Sequence, residues 1–290
     1  MELDSLDHVH FSVPDLDRAQ EIFGPWLPGE FTPVYGAPEL NAYGVWNMSG
    51  GDFIQVIDPR EPAFGSSRID SFGILSVSFR VKEIDEGIAQ AETAGLKLRS
   101  RVGSEDIGMG KNVIQAQFFT DESFGLGIEL VERQIPGDPH VPLNQSCVDY
   151  VEHTVADLAA PVAFLDALLD SPFEAAVDDE ELGACFARNA RYGIQLTAPS
   201  DPEGAVSRRL KAQGPGLHAI AFQSRDLDRD IARAQALELV LVRQRELAPD
   251  VREAEFAAES AIILRLVERS ARLAVSGDGV AFLPFPGPAR

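Results

Sequence analysis

Cysteine is almost missing from this chain. Cys147 and Cys185 are the only two in 290 residues, too few for a disulfide framework and not in the CxxC spacing of a zinc site, so the sequence predicts a reducing compartment, the cytoplasm. Basic residues are also scarce: 25 Lys and Arg stand against 46 Asp and Glu, a formal net charge of −21 at pH 7. A surface of that sign repels phosphate backbones and anionic headgroups, which excludes nucleic acid and membranes as partners held by bulk electrostatics. No run approaches the roughly 18 apolar residues that cross a bilayer. The acidic start Met1-Glu2-Leu3-Asp4, with no apolar run after it, excludes a signal peptide. Gly103 to Lys111 has glycines without phosphate-loop spacing, so no nucleotide cofactor is expected, and the segment reads as a flexible loop. No Ser-His-acid order recommends nucleophilic catalysis.

What is present is a fourfold echo. Asp7-His8-Val9-His10-Phe11-Ser12-Val13, Leu75-Ser76-Val77-Ser78-Phe79-Arg80-Val81, Asp149-Tyr150-Val151-Glu152-His153-Thr154-Val155 and His218-Ala219-Ile220-Ala221-Phe222 are short apolar strands, each followed by a turn and a helical pattern. Each unit also closes on an apolar strand: Phe53 to Pro59, Gly127 to Arg133, Gly193 to Pro199 and Ile263 to Arg269. Units two and four share an apolar-Val-Glu-Arg close, so the higher period is a pair of units and the chain is two similar halves. The spacing predicts helices from Leu16, from Ile84 to Ala94, from Leu158 to Leu169 and from Leu227 to Leu237, with Asp residues placed to cap their starts. Gly44 to Met48, the turn Ser49-Gly50-Gly51 and the strand to Ile57 predict a hairpin. Each unit is therefore βαβββ. The expected boundaries are a first domain at 1–133, a proline-rich linker at 134–147, a second domain at 148–270 and a tail at 271–290. The tail carries no functional assignment.

The residues now carry a family resemblance. Asp7-His8 with Val13 and Asp15-Leu16, the segment Phe118 to Val131, and the run Ser207 to His218 are similar to the vicinal oxygen chelate superfamily, which includes glyoxalases, methylmalonyl-CoA epimerase, resistance proteins and extradiol dioxygenases. The resemblance covers nearly all of 5–270. It implies an α+β fold in which four βαβββ modules pair into two domains with curved mixed sheets. It also implies that ligands project into a cup from the first and last strands of each unit. Carried over by position, the first cup presents His8, Gln55, Ser76 and Glu129, and the second Tyr150, Gln195, Ala219 and Arg265.

Imidazole, amide and carboxylate suit a divalent ion (Mg, Mn, Fe, Co, Ni or Zn), so the resemblance implies a metal on His8, Gln55 and Glu129. Ser76 stands where the family has a second histidine. His10 shares the strand face of His8, and two residues along a strand place them roughly 6–7 Å apart, wide for one ion. Arg265 opposes a metal in the second cup. His153, His218 and Glu268 form a tempting two-histidine, one-carboxylate set, but the repeat turns them to the opposite face.

The expected function is an enzyme acting on a small-molecule substrate by proton abstraction next to a carbonyl, of epimerase, isomerase or lyase type. His8, His10 and Glu129 are the candidate catalytic residues, Glu129 or His10 being the base, with metal-assisted and metal-free versions both open. Gln55, Ser76, Ser78 and Asn47 are the candidate substrate-binding residues. An extradiol-type dioxygenase and a non-catalytic binding protein of the resistance type are the alternatives. A homodimer, with cups completed between chains, stays open beside pairing of the halves within one chain.

Overall fold

The computed structural model describes residues 3–27, 30–37, 42–47, 53–59, 73–103, 113–118, 121, 123–133, 147–257 and 262–269. The expected loop at 103–111 beyond Gly103, the turn 49–51, the linker up to 146 and the tail from 271 lie outside these described residues.

The first half runs β1 (Leu3–Ser12), α1 (Leu16–Phe23) with a 3-10 turn at Gly24–Trp26, β2 (Tyr35–Ala37), β3 (Ala42–Asn47) and β4 (Phe53–Pro59). It continues with β5 (Gly73–Val81), α2 (Ile84–Thr93), β6 (Leu98–Gly103), β7 (Val113–Phe118) and β8 (Ile128–Arg133). The second half repeats this with β9 (Val148–Thr154), α3 (Ala159–Leu169), β10 (Val177–Asp179), β11 (Ala184–Asn189) and β12 (Ile194–Pro199). An added helix α4 (Ala205–Gln213) precedes β13 (Gly216–Ser224), α5 (Leu227–Ala236), β14 (Val240–Ala248), β15 (Val251–Ala257) and β16 (Ile263–Arg269).

Each half is one curled mixed sheet of eight strands, and the two orders match: β2-β3-β4-β1-β5-β8-β7-β6 and β10-β11-β12-β9-β13-β16-β15-β14. The registers match as well. Val9 faces Ile54 and Val77, as Val151 faces Ile194 and Ile220. His8, Ser76, Tyr150 and Ala219 therefore occupy equivalent points on the four opening strands.

Strand alternation sorts the side chains into two faces. Val9, Phe11, Val77 and Phe79 point away from the cup and join Val151, Ile220 and Phe222 in a single buried apolar cluster that spans both halves. Phe79 meets Tyr192 edge-on at 5.7 Å and Phe23 lies 6.3 Å from Phe222, so the halves pack through their convex faces. Full burial of each such side chain contributes roughly 1.5–3 kcal/mol. Arg18 donates to the Leu237 carbonyl at 2.8 Å across the same junction.

Helix starts follow the sequence. Asp15 accepts from the Arg18 amide at 3.0 Å and Asp226 from the Arg229 amide at 3.1 Å. For α2 the cap is remote: Glu132 Oε2 accepts from the Ile84 amide at 2.7 Å, and Glu268 does the same for Leu227 at 3.2 Å. Arg133 donates from Nε and Nη2 to the Asp7 carboxylate at 2.7 and 2.6 Å, and Arg269 reaches Asp149 at 2.9 Å. The repeated Glu-Arg close thus does two structural jobs in each half, capping a helix with Glu and tying the last strand to the first with Arg. No helix among the described residues is long and apolar enough to cross a membrane.

Candidate active site

Cross-strand pairing fixes which residues share the concave face of the first sheet. His10 pairs with Gln55 on β4 and Ser76 on β5, His8 pairs with Ser78, and Ser78 pairs with Glu129 on β8. Trp46 on β3 sits beside Gln55, and Gln115 and Gln117 on β7 lie beside Val131 and Glu129. Gly127 makes this row close: a Cβ there would sit 2.1 Å from the Leu75 carbonyl oxygen, so only glycine lets β8 enter beside β5 two residues ahead of Glu129.

Glu129 is the hub. Oε1 accepts from Ser76 Oγ at 2.9 Å and Gln117 Nε2 at 3.2 Å, and Oε2 accepts from Ser78 Oγ at 2.9 Å. Two imidazoles flank it, His10 Nδ1 at 3.5 Å and His8 Nε2 at 3.6 Å. Burial alone would push the Glu129 carboxyl up, but the two imidazoles outweigh it and hold the group well below the ordinary carboxylate range.

His8 is fully buried and held at both nitrogens. Nδ1 lies 2.8 Å from Asp7 Oδ1 and Nε2 lies 2.9 Å from Ser78 Oγ. The proton count follows from chemistry. Asp7 is ionised, since Arg133 outweighs the upward push of burial, so Nδ1 must donate. Ser78 has one hydroxyl proton, which goes to Glu129, so Nε2 donates to Ser78. This arrangement favours a proton on both nitrogens of His8. Burial works against that charge, but Asp7 and Glu129 raise the His8 pKa above its ordinary value.

His10 differs. Only 5 % of it is exposed, its ring centre is 6.4 Å from that of His8, and neither ring nitrogen has a hydrogen-bond partner. Of the three candidate catalytic groups it is the one whose polar atoms make no hydrogen bond, its charged neighbour being Glu129 Oε1 at 3.5 Å.

The structure brings together His8, His10, Gln55, Ser76, Ser78 and Glu129. It does not bring Asn47 with them. Asn47 pairs with Ile54, which faces Val9, so it points to the convex side. Candidates missed by the sequence reading are Asp7 and Arg133, which hold His8, and Gln115 and Gln117 on β7. Asp7 had a signal in the Asp7-His8 and Asp149-Tyr150 repeats, and Arg133 in the repeated close.

The metal set implied by the resemblance does not fit this arrangement. An ion needs an imidazole lone pair and an open carboxylate oxygen. Both nitrogens of His8 are engaged by Asp7 and Ser78, both oxygens of Glu129 accept hydrogen bonds, and Ser76 spends its hydroxyl on Glu129. Gln55 lies across from His10 rather than His8. Among the described residues no group of three or more His, Cys, Asp and Glu side chains is disposed to hold an ion.

The second cup is filled by its own charges. Arg265, at the register position of Glu129, donates to Glu152 at 2.6 Å, Glu255 at 3.0 Å and the Tyr150 hydroxyl at 3.0 Å. Tyr150 donates to Glu253 at 2.7 Å, Arg245 pairs with Glu253 and Asp179, and Arg243 pairs with Glu255. Burial pushes the Glu152 carboxyl up, but Arg265 and Arg209 bring it down to about 2. His153, His218 and Glu268 are separate: His153 contacts the Phe124 carbonyl, His218 the Gly214 carbonyl, and Glu268 caps α5.

No family model and no curated protein matches the sequence. Solved structures do match the fold. A mutant of 4-hydroxymandelate synthase from Streptomyces coelicolor superposes with a TM-score of 0.68 at 16% identity, over 95% of each chain. The Mn(II)-bound glyoxalase from Novosphingobium aromaticivorans gives 0.59 at 16% identity, over 91% of this chain and 82% of the other. Methylmalonyl-CoA epimerase from Mycobacterium tuberculosis gives 0.40 at 25% identity, over 43% of this chain and 89% of the other.

Proposed function

On the premise that this chain carries the fold of the vicinal oxygen chelate superfamily, two curled mixed sheets of α+β type, we propose that it is a small-molecule enzyme whose first cup abstracts a proton next to a carbonyl. The halves 1–133 and 148–270 serve in this reading as an active and a structural domain. The observation that carries it is His10, a buried imidazole with both ring nitrogens unbonded, 3.5 Å from a carboxylate held ionised.

In this mechanism His10 takes the proton from a carbon next to a carbonyl, and the electron pair left behind moves onto the carbonyl oxygen as an enolate. Glu129 stabilises the imidazolium that forms on His10. It is a weak base itself, because three donors and two imidazoles favour its ionised form. Ser76, Ser78 and Gln117 keep that carboxylate in place, and Arg133, Asp7 and His8 anchor it from behind. The proton returns from His10 to the face it left, at the same carbon or at another carbon of the enolate system, giving exchange or isomerisation. A divalent ion enters no step.

A non-catalytic binding protein is the second reading, favoured by the engagement of His8 and Glu129, which leaves His10 alone to move a proton. The ring-cleaving reading finds no support in the second cup, where Arg265 stands among carboxylates. The test is a screen of small carbonyl compounds for deuterium uptake at carbon in heavy water. Protein-dependent uptake supports the enzyme; saturable binding without uptake supports the binding protein.

A further inference from the structure

The two sheets are internal controls for each other. His10, Trp46 and Gln115 on the first concave face correspond by register to Glu152, Arg188 and Glu253 on the second. In the second cup each of these positions carries a charged partner, although Arg188 Nε makes no hydrogen bond. Glu152 receives Arg265 and Arg209, Arg188 reaches Asp149 at 3.2 Å, and Glu253 receives Tyr150 and Arg245. In the first cup the same positions hold polar atoms with no hydrogen-bond partner: both nitrogens of His10, Trp46 Nε1 and Gln115 Nε2. Trp46 and Gln115 are 5 % and 4 % exposed.

The template therefore gives these positions charged partners when it is used as structure. Leaving a donor buried and unpaired costs free energy that an apolar residue of similar shape avoids. Valine or leucine would suit either position on a cup wall without a ligand. Trp46 also packs edge-on against His8 at 5.0 Å, on β3, while Gln115 lies on β7 at the far side of Glu129. The two donors thus stand on opposite sides of His10 in strand order.

We propose that Trp46 Nε1–H and the Gln115 side-chain amide are ligand-binding donors of the first cup, selecting a compound with acceptor oxygens and no positive charge. The assignment deepens the reading of the first cup as the site. An indole N–H can only donate, and the amide N–H likewise presents the positive end of a dipole, which takes an acceptor and repels a cation. When the bound molecule is a carbonyl compound, a donor at its oxygen stabilises the charge that develops as a proton leaves.

Two tryptophans make the test direct. Trp46 lies in the cup, whereas Trp26, whose Nε1 is likewise buried without a hydrogen-bond partner, lies beneath the Arg233 guanidinium at 5.7 Å, in the junction between halves and away from the cup. The indole N–H resonances of the full chain are followed by NMR during titration with acetylacetone, with malonate, and with tetramethylammonium as a cation of similar size. The expected result is a saturable downfield shift of the Trp46 signal with acetylacetone or malonate, a still Trp26 signal, and no response to tetramethylammonium. Trp46→Phe and Gln115→Leu should each weaken the probe by roughly three- to tenfold, and Gln115→Leu should raise the melting temperature of the free protein by removing an unpaired buried amide. A Trp46 signal unmoved by both oxygen compounds, or moved equally by tetramethylammonium, overturns the proposal. So does unchanged probe affinity in both variants. Intact probe binding with no deuterium uptake overturns the acid–base reading and leaves this one standing.

Discussion

Arg265 occupies in the second sheet the register position that Glu129 occupies in the first. One fold template thus carries opposite charges at the floor of its two cups, and each charge has gathered opposite partners. Around Arg265 the partners are carboxylates fixed in place; around Glu129 they are hydroxyls, an amide and two imidazoles. In the proposed mechanism only the second set takes part in moving a proton.

That division predicts different consequences for the two positions. Arg265→Ala leaves Glu152 and Glu255 buried without their main counter-ion, and breaking a buried pair in this way costs about 3–5 kcal/mol. Chemical denaturation should show that loss with little change in first-cup binding. Glu129→Gln keeps the size of the side chain and should mainly abolish turnover.

The strand ties give a paired prediction. Asp7→Asn and Asp149→Asn each remove one carboxylate from an equivalent arginine, so both should destabilise, by about 3–5 kcal/mol on the same principle. Only Asp7 also touches His8. Deuterium uptake should therefore fall in folded Asp7→Asn, and hold in folded Asp149→Asn at temperatures well below melting.

The register was legible in the sequence because four openings and four closings repeat, and parity along a strand then decides the face. His8, His10, Ser76 and Glu129 could be placed together on that basis. Asn47 could not, because the face of a hairpin residue depends on loop length, and the turn signal Ser49-Gly50-Gly51 marks a hairpin without fixing its register; the observed pairing with Ile54 turns it outward. The charge partners of Arg265 were also hidden, since Glu152, Glu253 and Glu255 come from β9 and β15 and no local pattern links them. Helix α4 has only Val206 and Ser207 buried, so its sequence shows no apolar stripe. The Glu-Arg closes were visible as repeats, but their roles emerge only from Ile84 and Asp7, which are distant in sequence.

The helix caps at those closes are open to measurement. Glu132→Ala and Glu268→Ala each remove an acceptor from a helix start, and loss of a cap costs about 0.5–2 kcal/mol. Melting temperatures should fall in both. Glu268→Ala should fall further if the Arg252 pair at 3.1 Å adds to the cap.

The first cup also sets a pH dependence. Asp7 and Glu129 have lowered pKa values when folded, so their contribution is fully present above the ordinary carboxylate range, near about 4, and is lost as pH falls through the folded values. Asp149 and Glu152 act in the same direction. His8 has a raised value, so its contribution is complete below 6.5, the ordinary histidine value, and is lost as pH rises through the folded one. Melting temperature against pH should therefore fall on both sides, and His8→Gln should flatten the alkaline side and soften the acid side, since Glu129 and Asp7 lose the imidazole that lowers them.

The most direct measurement of the central claim is deuterium uptake by a responsive carbonyl compound with wild-type protein and with His10→Ala, each with and without free imidazole. The account predicts a loss of about 10²–10⁴ in rate for the variant, the range typical of general acid–base catalysis, with partial recovery in imidazole and no effect of a metal chelator on the wild type. Near-normal uptake without His10, or a wild-type rate abolished by the chelator, would contradict it.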